Sequence, residues 1–264
     1  MFSMYVEMIR IRFLMMLAYR VNYYSGIAVY SINIGAYYFL WNAIYGDKVT
    51  MGGLTALQMV TYVSISWMAR AFYFNNIDQE MAQEVKEGKV AIELIRPYHY
   101  LATKIMQAMG EGIFRFLFFS LPGMIIITFI FPIQYPSGFS IWGWYGISLL
   151  FSFFINTQIN LITGLLTFFF YNNEGIMRAK RVLVDLFSGL ILPISLYPEW
   201  AQAILNYLPF QAISYLPGMI FTGGIQGEQI FLSLGQQFLW ILLLWIPIGM
   251  LWWQAKKNLV IQGG

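Results

Sequence analysis

From Val182 to Ala255 this chain carries no Lys or Arg, and before that point apolar runs of membrane-crossing length alternate with short charged segments. A soluble domain needs polar residues on every element to coat its surface. With 59% hydrophobic and 10% charged residues, this chain does not have them. Lipid is the solvent that fits such a composition. In lipid every backbone polar group must be satisfied internally, so the expected fold class is an all-α integral membrane bundle of about six transmembrane helices.

About 20 apolar residues cross a bilayer. Residues 23–45, 54–74, 113–131 and 141–171 meet that length, separated by Gly46-Asp47-Lys48 with Gly52-Gly53, and by Pro132 with Tyr135-Pro136-Ser137-Gly138. Asn172 to Arg181 reads as a short basic loop. Lys256 and Lys257 end the stretch without cations, and the positive-inside rule then requires an even number of crossings within it, taken as 182–197 and 230–253. Residues 198–227 are apolar but broken by Pro198, Pro209, Pro217 and Gly223-Gly224, the pattern of short interfacial or re-entrant outer helices. Residues 1–22 mix Phe2, Tyr5, Val6, Ile9, Phe13 and Leu17 with Glu7, Arg10, Arg12 and Arg20. They suit an interfacial helix or an extension of the first span, and show no cleavable leader pattern. This scheme puts both termini in the cytoplasm and leaves Lys48 as the single outward cation of 15 Lys and Arg.

The chemistry a catalytic chain would need is missing. There is no Cys, and His99 is the sole histidine, so no thiol, zinc-thiolate or His-cluster site is expected. The only Gly-Lys pair, Gly88-Lys89, is followed by Val90 and has Gln83 where a phosphate-binding loop needs its first Gly. The net charge of +3 reflects topology, and no nucleic-acid partner is expected. No cofactor or metal is assigned to this chain.

The densest charge lies in 75–104, a segment expected in water. Ile77, Met81 and Val85 recur every four residues on one face of a helix that Gly88 can end, while Asp78, Glu80, Glu84, Lys86 and Glu87 cover the rest. Val90, Ile92 and Ile95 supply a second apolar set before Arg96-Pro97. A short amphipathic helix projecting from a bundle suits a groove on a cytosolic partner, and its four acids disfavour an anionic lipid surface. At span ends, Glu111 with Arg115 and Arg181 with Asp185 stand at i, i+4, the spacing of ion pairs that ease insertion, a proton relay being the other role open to them.

The run Gly88-Lys89-Val90-Ala91-Ile92-Glu93-Leu94-Ile95-Arg96-Pro97 resembles a stretch typical of permease subunits of ABC-2-type transporters. Tyr197-Pro198-Glu199-Trp200, Leu208-Pro209-Phe210, Leu216-Pro217-Gly218 and the terminal Gly263-Gly264 resemble a six-span bacterial branch of that family. The resemblance implies the permease half of a type-2 ABC exporter in the bacterial cytoplasmic (inner) membrane. It implies partners too: two copies of a cytosolic ATPase that bind ATP and Mg, and a second permease chain, identical or a paralogue. In such a protein 75–104 would dock on the ATPase through Met81, Glu84, Val85, Lys86, Gly88, Ile92, Glu93 and Arg96. Spans one, two and five would line the pathway, here with Asn33, Thr61, Ser64, Ser66 and Ser188 amid Tyr30, Tyr37, Trp41, Tyr62 and Trp67. Aromatic, weakly polar walls suit an amphipathic or cationic organic molecule, a lipid-like compound or a peptide; the same groups also serve as packing hydrogen bonds between helices.

An ion-coupled secondary transporter is the alternative, but it calls for mid-membrane carboxylates and an internal repeat, and neither is visible. A non-transporting assembly subunit is the other. Topology can be checked directly. A membrane-impermeant reagent should label tags at the Asp47 to Gly52 and Tyr135 to Gly138 turns, and not tags at Glu87 or Lys256; outside labelling of Glu87 would contradict the scheme.

Overall fold

The computed structural model describes residues 2–18, 21–170 and 173–262, and side chains outside 2, 21–23 and 258–262. Arg20, Tyr171, Asn172 and Gly263-Gly264 lie outside the described residues. The described residues form twelve α-helices: α1 Phe2–Ala18, α2 Val21–Tyr45, α3 Ala56–Tyr73, α4 Ile77–Lys86, α5 Lys89–Ile95, α6 Tyr100–Arg115, α7 Leu121–Ile130, α8 Phe139–Leu165, α9 Glu174–Phe187, α10 Glu199–Leu205, α11 Tyr215–Thr222 and α12 Glu228–Gln262.

Among the described residues three helical stretches are long and apolar enough to cross a membrane by length and composition: Tyr100–Ile130, Phe139–Phe168 and Glu228–Lys257. The first joins α6 to α7 through a π turn at Phe116–Ser120. Pro122 has no N–H to give Phe118 and would clash with its carbonyl; widening the turn lets the Leu121 N–H reach the Phe116 carbonyl instead. This helix begins at Tyr100, well before the expected 113, because its early charges, Lys104 and Glu111, are buried and paired. Helix α2, about 37 Å long, and the shorter α3 complete one side of the bundle.

The expected span 182–197 is corrected. Its helix, α9, starts at Glu174 and stops at Phe187. Beyond it the chain bends at Gly189, where φ is 84°, and continues irregularly to the turn after α2, where Gly52 meets Ser195 and Leu196. Irregular backbone survives at membrane depth only when protein covers it. Here the Tyr62 hydroxyl donates to the Gly189 carbonyl at 2.6 Å and the Tyr215 N–H to Ser188 at 2.8 Å. The segment 198–227 supplies that cover: α10 lies outside, while α11 is buried from Leu216 to Thr222 against α3 and α8.

Polar groups knit the apolar helices together. Gln237 on α12 accepts from the Ser148 hydroxyl at 2.9 Å and donates to the Ala212 carbonyl at 2.7 Å, and Gln158 donates to Ile241 across the same α8–α12 seam. Charged side chains gather at one end, where α1, α4, α5, the start of α6 and α9, and the end of α12 meet. Among the described Lys and Arg, Lys48 stands at the opposite, far end.

Helix α1 is a separate element laid along α6. A Cβ on Gly110 would collide with the Ile9 carbonyl oxygen, so the crossing depends on the missing side chain. Gly110→Leu should therefore lift α1 and destabilise the protein by about 1–3 kcal/mol. In this Cys-free chain a Met8→Cys, Gln107→Cys pair, which lines one cleft, should cross-link in the parent and not in the Gly110 variant. Equal cross-linking would contradict the packing.

Candidate functional site

The segment expected to project into water is anchored inward. The α4 face made by Ile77, Met81 and Ala82 is buried, and Met81 is 0% exposed. Gly164 of α8 makes room for it: a Cβ there would meet the Met81 sulfur at 2.8 Å and the Asp78 Cα at 3.1 Å. Val85 packs half-buried on the same core. The apolar periodicity of α4 therefore records contact with this chain's own α8, and Met81 and Val85, expected at a partner groove, belong to the internal core.

The acids of α4 are ties. Asp78, 1% exposed, is ion-paired at 2.9 Å with Lys180 of α9. Glu80 pairs with Arg12 of α1, and Arg12 reaches Glu111 of α6 at 2.9 Å. Glu84 takes Lys104 at 2.5 Å and the Tyr100 hydroxyl at 2.7 Å. Lys86 reaches Glu174 at 3.5 Å. The expectation that 75–104 is solvated is thus corrected for Asp78 and Lys104, which are buried.

Behind α4 the polar side chains form a continuous joint. Lys180 donates to the Asn160 Oδ1 at 2.5 Å; the Asn160 amide donates to the carbonyl and Oδ1 of Asn75; Asn75 donates to Thr157; and Asn156 donates to the Tyr73 carbonyl at 2.8 Å. Three asparagines thereby satisfy the backbone where α3 breaks before α4. Beside them Asp185 pairs with Arg70 of α3 at 2.8 Å. The expected Arg181–Asp185 pair is corrected: Arg181 sits over the Phe74 ring at 5.8 Å, which Arg70 and Arg115 also approach, at 5.0 and 5.6 Å. Asp185 prefers α3 because Arg70, with nowhere else to leave the apolar bundle, reaches it across the joint. Arg115 lies against Glu111, which it shares with Arg12, and donates to the Phe74 carbonyl at 3.0 Å.

What stays exposed is a compact tip. Gln83, Lys86, Glu87, Gly88, Lys89, Ile92, Ile95 and Arg96 face out, Ile95 with 84% of its surface free. Gly88, at φ 70°, supplies the left-handed turn between α4 and α5. The Lys89 ammonium, 2.5 Å away, holds the Glu87 carboxyl below its ordinary range. Glu93 and Arg96 pair at 2.9 Å and close a ring with the Tyr98 hydroxyl, which fixes the end of α5.

The residues expected along a pathway fall into two groups by burial. Trp41, Thr61, Tyr62, Ser64, Ser66 and Ser188 are buried. Thr61 accepts from the Gln134 N–H, Tyr62 holds Gly189, Ser64 donates to the Val60 carbonyl, and Ser188 accepts from the Leu190 N–H. These are packing contacts. Tyr30, Tyr37 and Trp67 are half-buried in an aromatic cluster, and Asn33 is exposed on α2. A separate apolar cavity of about 340 Å³, walled by Met68, Phe116, Met124, Tyr145, Leu149 and Phe221, lies beside the π turn. The joint itself, Arg70, Asn75, Asp78, Asn156, Asn160 and Lys180, was not singled out from sequence. Its signals were an arginine inside an apolar run and the polar string Asn156-Thr157-Gln158-Ile159-Asn160 inside the longest span.

Curated proteins offer no match to the chain. A family model described as ABC-2 family transporter protein matches residues 31–263, everything from the middle of α2 to the C-terminus. An all-α membrane bundle matched over that length belongs to the ABC-2 transporter family, the membrane permease component of ABC transporters.

Proposed function

We propose that this chain is the translocating subunit of an ATP-driven exporter in the bacterial cytoplasmic membrane, its charged end in the cytoplasm, working as a dimer with an identical or paralogous permease and two copies of a separate ATPase that bind ATP and Mg. The observation that carries the reading is the α4–α5 tip. Two apolar side chains, Ile92 and Ile95, stand exposed beside alternating charges, on a helix pair whose other faces are tied down. A partner that closes on ATP and moves this tip would move α6 through Glu84–Lys104, α9 through Asp78–Lys180 and α1 through Glu80–Arg12. The spans would then tilt together, switching access between the two sides.

For substrate, the apolar aromatic cavity beside the π turn supports the amphipathic or lipid-like end of the range, since it has almost no polar wall to recognise a hydrophilic solute. The ion-coupled alternative gains the buried carboxylates Asp78 and Glu111, but Lys180 neutralises the first and Arg12 with Arg115 the second. Transport that persists without any ATPase would favour that alternative.

The docking test is a double variant, Ile92→Asp with Ile95→Asp. Placing unpaired charges in an apolar contact costs on the order of 3 kcal/mol, about a hundredfold in affinity. The co-purifying ATPase should be lost while the thermal midpoint in detergent stays near that of the parent. Full retention would remove the docking assignment. Lys180→Ala should behave differently: it leaves Asp78 buried and unpaired, costs about 3–5 kcal/mol of stability, and lowers the thermal midpoint. An unchanged midpoint would mean that the joint does not hold α4.

A further inference from the structure

Between α4 and α9 the charged end carries a cavity of about 360 Å³, bounded by Gln79, Gln83, Lys86, Glu174, Arg178 and Arg181. Its charges do not balance. Glu174 faces Lys86 at 3.5 Å and Arg178 at 3.7 Å, both loose contacts, and Arg181 meets the Phe74 ring rather than a carboxylate. The neighbouring acids are committed elsewhere: Asp78 to Lys180 at 2.9 Å, Asp185 to Arg70 at 2.8 Å and Glu87 to Lys89 at 2.5 Å. Lys86, Arg178 and Arg181 therefore stand around an open cavity on whose wall Glu174 is the one carboxylate, with Asp185 balancing part of the Arg181 charge from outside it, an arrangement with positive charge to spare for an anion.

The second observation says what kind of anion. The same helix α9 that presents Arg178 and Arg181 exposes Ile176, Val182, Leu183 and Leu186. Basic groups above an apolar flank, on a helix too short to span, are the features of a helix seated where headgroups meet hydrocarbon. A soluble anion would use the cations alone. A lipid would use both.

We infer that the α4–α9 groove binds the phosphate headgroup of an anionic phospholipid, whose acyl chains lie along the exposed apolar flank of α9. The headgroup then bridges Lys86 on α4 to Arg178 and Arg181 on α9, adding a lipid strut beside the Asp78–Lys180 tie. The inference needs the charged end to face a headgroup layer and does not require the chain to be an exporter, so it survives or fails apart from the docking of an ATPase.

The experiment is a native mass spectrometry titration of the full-length chain, delipidated in neutral detergent, with dioleoylphosphatidylglycerol and, separately, dioleoylphosphatidylcholine. Arg178→Gln with Arg181→Gln should weaken phosphatidylglycerol binding roughly thirty-fold, at about fivefold per cation near a charged surface, and leave phosphatidylcholine binding unchanged. Arg178→Lys with Arg181→Lys should restore most of the affinity, which separates lost charge from lost fold. The control Arg10→Gln with Lys48→Gln removes as much charge away from the groove and should have no effect. The proposal is overturned if the Gln pair binds phosphatidylglycerol like the parent, whether or not it loses a protein partner, or if the control pair weakens binding equally. Displacement of phosphatidylglycerol from the parent by millimolar inorganic phosphate would assign the groove to a free anion and overturn the lipid as its occupant.

Discussion

A buried carboxylate is expensive in an apolar bundle, and the ion pair between Asp78 and Lys180 is the constraint on which the charged end depends. An isolated ionised group there would cost several kcal/mol, and a pair offsets its desolvation best when further hydrogen bonds support it. That support comes from the Lys180 side, where Lys180 finds Asn160, Asn160 finds Asn75, and Asn75 finds Thr157, while the Asp78 carboxylate is held by the Lys180 charge. The string of polar residues in α8 therefore exists to finish a contact that begins on α4. Removing any member exposes the desolvation cost of the rest, which makes α4 a fixed part of the bundle and not a free arm.

That fixity changes how the exposed tip can work. A projecting helix could absorb a push by bending, but α4 is held on three sides, by α1, α6 and α9, and packs on α8 through the space left by Gly164. Displacement of Ile92 and Ile95 has to pass into the spans. The backbone just beyond the ties provides the compliance: α9 gives way to irregular chain at Ser188 and Gly189, whose carbonyls are satisfied from α3 and α11, and the π turn loosens the α6–α7 helix at Phe116–Ser120. Rigid ties at the charged end and adaptable backbone directly beyond them suit a bundle that tilts.

Much of this architecture was legible in the residues. The starts of α2, α8 and α12 lie within two residues of the expected runs and α2 ends where expected, because hydropathy over about 20 residues reports lipid directly, whereas α8 ends six residues before its run and α12 nine beyond it. The broken, proline-rich stretch before α12 did become short helices, one of them buried. The errors share one cause. Charges that are paired inside the fold look the same in sequence as charges in water, so Lys104 and Glu111 hid the start of α6, and Arg178, Lys180 and Arg181 hid the start of α9. The i, i+4 face of α4 was visible, but a face does not name what it packs against, and only the position of Gly164 in space turns Met81 from a docking residue into a core residue. In the same way Asp185 had a helical neighbour at the right spacing and chose Arg70 across the joint.

The central claim, that α4 and α9 move as one body when the tip is displaced, is tested most directly by pulsed electron paramagnetic resonance on the Cys-free background. Spin labels at Gln83 and Ala179 should keep one separation with and without ATP in the ATPase-bound complex, while labels at Gln83 and Val49, at opposite ends of the bundle, should shift. A Gln83–Ala179 separation that changes with ATP, while Asp78 and Lys180 are intact, would contradict the account.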